Sequence, residues 1–176
     1  MGIEHTVIFN EDISPVTAQN LIDKINQYSF VNLYFSTNGG HCTDMRILID
    51  FLNHRYENDS LKLILTNEVQ SAGTLILLNY KGPIFMDISF RFFMFHSFDI
   101  EMSTSRPYPG DKIAKEMLDI RNEEYFANLL MLGLTKSDIK KIKDGDDVYI
   151  SALNLSKIKR ELFTSEEVVK TLNIIN

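Results

Sequence analysis

The sequence contains little cysteine, no long apolar run and no excess of positive charge, and each shortage excludes a class of protein. Its single cysteine, Cys42, cannot form an internal disulfide, which fits the reducing cytoplasm. No apolar run reaches the roughly 20 residues that a transmembrane helix needs. The N-terminal residues MGIEH lack the basic and then apolar order of a secretory signal. We therefore expect a cytoplasmic protein without a membrane segment.

Charge and composition exclude further classes. The chain has 18 basic and 24 acidic residues, a net charge of −6, and no basic patch interleaved with aromatic residues. A nucleic-acid partner is therefore not expected. Hydrophobic residues at 44% and charged residues at 24% are ordinary for globular proteins and argue against a disordered or fibrous chain. With 176 residues and no linker or low-complexity run, the sequence predicts one domain over residues 1–176.

Strand and helix patterns alternate in the N-terminal half of the chain. The segments HTVIF, VNLYFS and LKLILT predict strands from their β-branched and aromatic residues. Ser14 and Pro15 predict the cap and first position of one helix, and Thr43 predicts the cap of the next. These repeats predict an α/β fold with right-handed βαβ units and a mostly parallel sheet.

The C-terminal half continues with short strands and one long helix. PIFM and RFFMF predict two further strands, and DVYIS predicts the last one. A long helix follows Gly110, with Met117 and Ile120 on its apolar side, and is expected to end near Gly133. Thr135 has capping-box spacing for a short helix. The segment SEE at residues 165–167 predicts the start of a terminal helix.

Three of the predicted strands are followed by residues that could support catalysis. In open α/β sheets the ligand crevice lies beyond the carboxyl ends of the strands, so these residues can converge there. Ser71 lies between a strand and an apolar helix, and His96 closes the strand RFFMF. A serine hydroxyl becomes a useful nucleophile when an imidazole accepts its proton. The pair therefore predicts a serine nucleophile with a histidine base.

Backbone donors for a developing negative charge lie in the same segments. The Ala72 N–H falls at the start of the predicted helix, and Gly39-Gly40 can supply another N–H without side-chain obstruction. Two such groups form an oxyanion hole, in which one donor contributes about 3 kcal/mol in the transition state. Each residue alone also has an ordinary role as a cap, a turn or a strand end, but their combination is more specific.

Three segments carry a resemblance to a known family. LYFSTNGG, QSAGTLILL and FMFHSF resemble the signature segments of the Clp protease proteolytic subunit, which has the ClpP/crotonase fold. The likeness covers residues 5–155. It implies a serine-type endopeptidase without cofactor or metal, in which Ser71 is the nucleophile and His96 the general base. Ala72 and either Gly39 or Gly40 would then form the oxyanion hole.

The resemblance also implies a third catalytic residue, an aspartate before the segment VYISA. Alignment on His96 places this aspartate next to Asp144, whereas alignment on Ser151 places it on a lysine. Asp144 is the first choice, and Asp146 and Asp147 are the alternates. The order of serine, histidine and then acid differs from that of an α/β-hydrolase, in which the acid precedes the histidine.

Substrate and partners follow from the same resemblance. A peptide or unfolded protein would add as an extended strand along Ser97–Arg106, with Ser97 and Phe98 in contact with it. The long helix after Gly110 resembles the handle that joins two rings, which implies a homo-oligomer with an enclosed chamber. The N-terminal residues show nothing similar to the axial loops that contact an unfoldase ATPase, so an ATPase partner has no support.

Two other functions remain as alternatives to a peptidase. An inactive relative kept for binding or assembly is suggested because the alignments leave three candidates for the catalytic aspartate. It is also suggested by Asn38, where the family usually has proline, and by Gln70, where a small residue is typical. A crotonase-type acyl-CoA enzyme would share the oxyanion geometry, but it has no special use for a serine–histidine pair.

A cysteine-based or zinc-based site is less favoured by the sequence. Cys42 lies between His41 and Asp44, but adjacent residues rarely present both side chains to one substrate atom. The same residues with His54 fit no strong zinc-binding pattern, and a cysteine at a helix start more often packs locally.

Overall fold

The computed structural model describes residues 4–98 and 109–164. The strands are β1 (Glu4–Asn10), β2 (Phe30–Thr37), β3 (Leu61–Gln70), β4 (Ile84–Met86), β5 (Phe92–Phe95), β6 (Val148–Ser151) and β7 (Leu162–Thr164). The α-helices are α1 (Pro15–Ile25), α2 (Cys42–Glu57), α3 (Leu75–Asn79), α4 (Pro109–Leu132) and α5 (Lys136–Lys143), and 3-10 turns cover Ser71–Thr74 and Ala152–Lys157.

The described strands form one mixed sheet in an α/β fold. Strands β1, β2, β3, β4 and β7 are neighbours in that order, β5 joins β3, and β6 joins β5. The β5–β6 pair is antiparallel, and the other described pairs are parallel. The alternation of strands and helices along the sequence correctly predicted this mostly parallel sheet, because parallel neighbours need a crossover connection.

Strand β3 pairs with two different neighbours along its length. Its segment Leu63–Leu65 pairs with β4, and its last residues, Glu68–Gln70, pair with β5. Between them Asn67 has a left-handed φ of 49°. This irregularity marks the point where pairing passes from one neighbour to the other. The sequence prediction ended the strand too early, because polar residues after LKLILT interrupt its apolar pattern.

The starts of the first two helices follow different rules. Helix α1 begins as predicted, with Pro15 in its first turn and Ser14 accepting a hydrogen bond from the Thr17 N–H in a capping box. The prediction of Thr43 as the cap of α2 is wrong. Helix α2 begins at Cys42, because the carbonyl of the residue before it already accepts the first helical hydrogen bond, and that residue makes no side-chain cap bond.

Helices α2 and α4 contribute to the core in different ways. The residues of α2 that recur at helical spacing are fully buried: Met45, Leu48, Ile49 and Leu52. Helix α4 instead packs through its C-terminal half, with Tyr125 and Leu129 in the core. Met117 and Ile120, predicted on its apolar side, are 53% and 61% exposed. The helix ends at Gly133 as expected, with a left-handed φ of 119°.

The predicted capping box of α5 is confirmed. The Thr135 hydroxyl accepts a hydrogen bond from the Asp138 N–H, and the Asp138 carboxylate accepts from the Thr135 N–H and hydroxyl. Partial burial opposes ionisation of Asp138, but these hydrogen bonds and the nearby lysines outweigh it, so the pKa of Asp138 is lowered.

The C-terminal part differs from the prediction in one element. Strand β6 was predicted as the last strand, but β7 follows it and pairs in parallel with β4. Its three residues are too short for a periodic pattern to reveal. The helix predicted from residue 165 lies outside the described residues. None of the described helices is both long and apolar enough to cross a membrane.

Candidate active site

The candidate site lies where β2, β3 and β5 end together. In the sheet Gln70 is the partner of Met94, and Thr37 is the partner of Val69. All three strands run parallel, so the residues that follow them emerge at one edge of the sheet. Ser71 follows β3 directly, and His96 follows β5 directly. The sheet register alone thus brings these two residues close to each other.

Ser71 and His96 form a direct hydrogen bond. The Oγ atom of Ser71 lies 2.5 Å from the Nε2 atom of His96, in a partly buried position. Ser71 has a left-handed φ of 52°. A non-glycine residue in this conformation costs about 1–2 kcal/mol, and such strain concentrates at functional sites. The strained corner turns the hydroxyl out of the line of β3 and towards the imidazole.

The corner is held to helix α4 by two hydroxyl groups. The Thr74 hydroxyl donates to the Ser71 carbonyl at 2.7 Å and also lies 3.1 Å from the Tyr125 hydroxyl. Burial strongly raises the pKa of Tyr125, so its phenol is neutral. Neither residue is predictable from the sequence, since a threonine in an apolar segment and a tyrosine on a distant helix carry no local signal of this contact.

The glycine loop lies directly against Ser71. A Cβ atom added at Gly39 would lie 2.5 Å from Ser71 Cβ and 3.0 Å from its Oγ, so only glycine allows this approach. The N–H of Gly39 donates to the Thr37 hydroxyl at 3.0 Å. Gly39 therefore has its amide hydrogen already engaged within the loop.

Gly40 and Ala72 retain amide hydrogens that no described residue accepts. The Gly39 carbonyl accepts a hydrogen bond from the Ile13 N–H at 2.6 Å, and the described peptide bonds are all trans. In a trans peptide the next N–H points opposite to the carbonyl, so the Gly40 N–H points away from Ile13. The Ala72 N–H opens the 3-10 turn, where no earlier carbonyl is positioned to accept it.

Two side chains connect the glycine loop to the serine corner. The Gln70 amide donates to the Asn38 Oδ1 atom at 3.1 Å. These are two of the positions at which the sequence departs from the family pattern that it resembles, and the structure places them in contact. Beside them Glu68 forms an ion pair with Arg91, so its carboxylate is balanced by a guanidinium next to the corner.

The candidate acids lie on the neighbouring strand and the helix before it. Phe95 is the partner of Val148 in the antiparallel β5–β6 pair, so continuation of this register sets His96 opposite Asp147. Residues opposite each other in an antiparallel pair share one face of the sheet. Asp144, the first choice from the sequence, is instead the C-terminal cap of α5.

The Asp147 carboxylate accepts a weak hydrogen bond from the Tyr149 hydroxyl at 3.3 Å. Within residues 4–98 and 109–164 no carboxylate, including those of Asp144 and Asp146, hydrogen-bonds to His96. The register thus favours the alternate Asp147 over Asp144, although its carboxylate has not reached the imidazole in this conformation.

The segment after His96 is held by helix α4. The Asn122 Oδ1 atom accepts a hydrogen bond from the Phe98 N–H at 2.8 Å, and its Nδ2 atom donates to the Phe98 carbonyl at 3.0 Å. Both backbone groups of Phe98 are therefore engaged, and its ring is what remains to contact a ligand. Ser97, predicted with Phe98 to bind substrate, is half-buried. Residues 99–106 of the predicted peptide-binding stretch lie outside the described residues.

Cys42 has the wrong electrostatics for a nucleophile. Burial raises the pKa of its thiol, and the nearby guanidinium groups of Arg46 and Arg121 oppose this rise only in part. A nucleophilic cysteine needs a lowered pKa. The His41 Nδ1 atom lies 3.1 Å from the Asp44 carboxylate, so this ring nitrogen is engaged with Asp44. In the described part of the chain no group of three or more His, Cys, Asp or Glu side chains is placed to hold a metal ion.

The site therefore combines a serine hydroxyl, an imidazole and two unengaged amide hydrogens at one edge of the sheet. A cleft of about 620 Å³ opens beside Gly40, between the start of α2 and helix α4. No family model matches the chain, and no curated protein matches it. Its chemistry is therefore inferred from its own residues.

Proposed function

We propose that this protein is a serine-type peptidase of the ClpP/crotonase fold, with Ser71 as the nucleophile and His96 as the general base. The 2.5 Å hydrogen bond between Ser71 Oγ and His96 Nε2 carries this proposal. A strained serine that contacts an imidazole beside free amide hydrogens is the arrangement that acyl transfer requires.

The reaction proceeds in two acyl-transfer steps. The His96 Nε2 atom accepts the Ser71 proton as Oγ attacks the carbonyl carbon of the scissile peptide bond. The Gly40 and Ala72 N–H groups donate to the oxygen that becomes negative, and one such donor contributes about 3 kcal/mol. The imidazolium then protonates the leaving amine nitrogen. Water, deprotonated by the same imidazole, hydrolyses the acyl-enzyme and restores the serine.

Asp147 is the proposed positioning residue for His96, ahead of Asp144 and Asp146. A carboxylate on the Nδ1 side holds the imidazole in the tautomer that keeps Nε2 free to accept a proton. Continuation of the β5–β6 register by one residue sets Asp147 opposite His96, and rotation of its exposed side chain away from Tyr149 would bring the carboxylate towards the ring.

The substrate is proposed to be a peptide or an unfolded protein, and the assembly a homo-oligomer in the cytoplasm. Helix α4 supports the assembly, because its exposed apolar residues Ile120 and Met131 leave apolar surface without a partner within the described chain. The Asn122 side-chain amide already hydrogen-bonds to both the N–H and the carbonyl of Phe98. A substrate strand would therefore pair with the glycine loop and contact the Phe98 ring.

A second candidate is a binding or assembly protein without hydrolytic activity. It is favoured by one observation, that no described carboxylate hydrogen-bonds to His96. Such a protein would bind peptides at the same edge of the sheet, but its serine would not be activated.

Covalent labelling distinguishes the two candidates. We expect a fluorophosphonate probe to add one equivalent to the protein, at Ser71 by peptide mapping, and a short fluorogenic peptide to be cleaved. Ser71→Ala should abolish both, and His96→Ala should reduce labelling strongly. The exposed serine Ser89 provides a matched control, since Ser89→Ala should change neither. Absence of labelling under conditions in which a known serine hydrolase reacts fully would refute the peptidase.

A further inference from the structure

The cleft beside Gly40 is positioned to receive one substrate side chain. Gly40 and Cys42 line one wall, Met117 and Arg121 of α4 line the other, and the Phe98 ring closes one end. In the proposed mechanism the substrate carbonyl oxygen accepts a hydrogen bond from the Gly40 N–H. This carbonyl belongs to the residue just before the scissile bond. The side chain of that residue branches from the α-carbon next to the carbonyl, so it enters the cavity next to Gly40.

This cleft is positively charged although the protein is acidic overall. Arg46 and Arg121 both line it, one from α2 and the other from α4. Both lower the pKa of Cys42 against the effect of its burial, so their fields reach the same wall of the cleft. No described carboxylate forms an ion pair with either arginine.

The carboxylate of Asp44 does not cancel the positive charge of the two arginines in the cleft. Asp44 also lines the cleft, and its carboxylate contacts His41 Nδ1 at 3.1 Å. Two arginines against one carboxylate leave an excess of positive charge even with neutral histidine. The remaining wall is apolar, as the Phe98 ring and Met117 show. An apolar stem that ends in a negative charge matches these surroundings.

We propose that this cleft binds the carboxylate of a glutamate or aspartate side chain on the acyl side of the scissile bond, with Arg46 and Arg121 as the residues that determine this specificity. The inference rests on the proposed peptidase function and names its substrate class. An arginine guanidinium can donate two parallel hydrogen bonds to one carboxylate, a geometry that an amide or an alkyl side chain does not reproduce.

The test compares peptides that differ only at the residue before a fluorogenic leaving group. Acetylated peptides with Glu, Gln, Leu or Lys at this position are assayed by kcat/KM with the full-length protein. Glu and Gln have nearly the same shape, so their ratio reports the charge. We expect the Glu peptide to exceed the Gln peptide about tenfold, as for one charge-assisted hydrogen bond partly exposed to water. The ratio should fall to about one in Arg46→Gln/Arg121→Gln, because no guanidinium remains for the carboxylate to meet.

A matched variant controls for the loss of positive charge alone. Lys24 is exposed on α1 and does not line the cleft, so Lys24→Gln should keep the Glu-to-Gln ratio of the unmodified protein. Reversal of one charge in Arg121→Glu should move the preference from the Glu peptide to the Lys peptide. Each ratio is measured within one variant, so a partly folded preparation does not alter it.

A binding measurement separates failure of this inference from failure of the peptidase. Fluorescence anisotropy of labelled Glu and Gln peptides with Ser71→Ala protein reports binding without hydrolysis. If no peptide is cleaved but the Glu peptide binds more tightly in an arginine-dependent way, the carboxylate site stands and the peptidase falls. If all peptides are cleaved with equal Glu and Gln rates, the peptidase stands and the carboxylate site is refuted. Equal binding together with no cleavage refutes both.

Discussion

Substitution of Gly40 by alanine should remove one oxyanion donor without removing any side chain. Gly40 has a φ of 127°, and an added Cβ would lie 2.1 Å from the Ile13 carbonyl oxygen. The loop must therefore shift away from the segment before α1. Since the Gly40 N–H then leaves its position, we expect kcat to fall about 10²–10³-fold, the effect of one lost oxyanion donor. The effect should fall on kcat more than on KM, because this hydrogen bond strengthens in the transition state.

The stability cost of this substitution can be estimated from the same geometry. An alanine at this φ costs about 1–3 kcal/mol. Two backbone hydrogen bonds join this loop to Ile13, at 2.6 Å and 2.9 Å. Loss of both would add about 1–3 kcal/mol, so we expect the free energy of unfolding to fall by about 2–6 kcal/mol.

Gly133 supplies a matched control with the same steric problem away from the site. Its φ is 119°, and an added Cβ would lie 2.0 Å from the Lys157 carbonyl oxygen. Gly133→Ala should therefore lose a similar free energy of unfolding in urea titrations while it keeps kcat per folded molecule. Folded fractions from circular dichroism at low temperature normalise the fluorogenic assay. Equal losses of kcat per folded molecule in the two variants would refute the oxyanion role of Gly40.

Three further predictions test the acid, the clamp and a helix cap. Asp147→Asn should reduce kcat about 10⁴-fold in peptide assays, because it permits the wrong imidazole tautomer. Asp144→Asn should keep kcat within about twofold of the unmodified protein. The reverse order would transfer the role to Asp144. Asn122→Ala should lower the free energy of unfolding by about 1–3 kcal/mol, because it leaves two partly buried backbone groups of Phe98 unpaired. An unchanged urea midpoint of unfolding would contradict this. The pKa of Asp138 is lowered in the folded protein, so its carboxylate stabilises at neutral pH and this stability is lost as the pH falls through the folded pKa. Asp138→Asn should thus be less stable than the unmodified protein at pH 7, and this difference should shrink as the pH falls below about 3.9, in parallel thermal melts.

Asn38 and Gln70, which differ from the pattern of the family that the sequence resembles, contact each other in the structure. Asn38 and Gln70 each look unfavourable when considered alone, since one replaces a rigid residue and the other a small one. In the structure they hydrogen-bond to each other at 3.1 Å and join the glycine loop to the serine corner. This side-chain contact therefore links the segment that carries the candidate oxyanion donor to the segment that carries the candidate nucleophile.

Several features of the protein were determined by the sequence on its own. The capping residues Ser14 and Thr135 and the buried face of α2 follow from residues within a few positions of one another, and the mostly parallel sheet follows from the alternation of strand and helix patterns. Such features depend on local hydrogen bonds and on hydrophobic periodicity, which act over one or two turns. Ser71 and His96 could also be singled out as candidates, because His96 directly follows a predicted strand and Ser71 lies between a predicted strand and an apolar segment.

Other features were decided only by the tertiary structure. The irregularity at Asn67 lets β3 pair with β5, and this pairing sets the distance between the serine and the histidine. The β5–β6 register favours Asp147, and the approach of α4 to α2 brings Arg46 and Arg121 to one cleft. These contacts join segments far apart in the chain, and their geometry depends on how whole elements pack. Local propensity carries no information about such distances, so folding into the sheet and its helices was needed to define them.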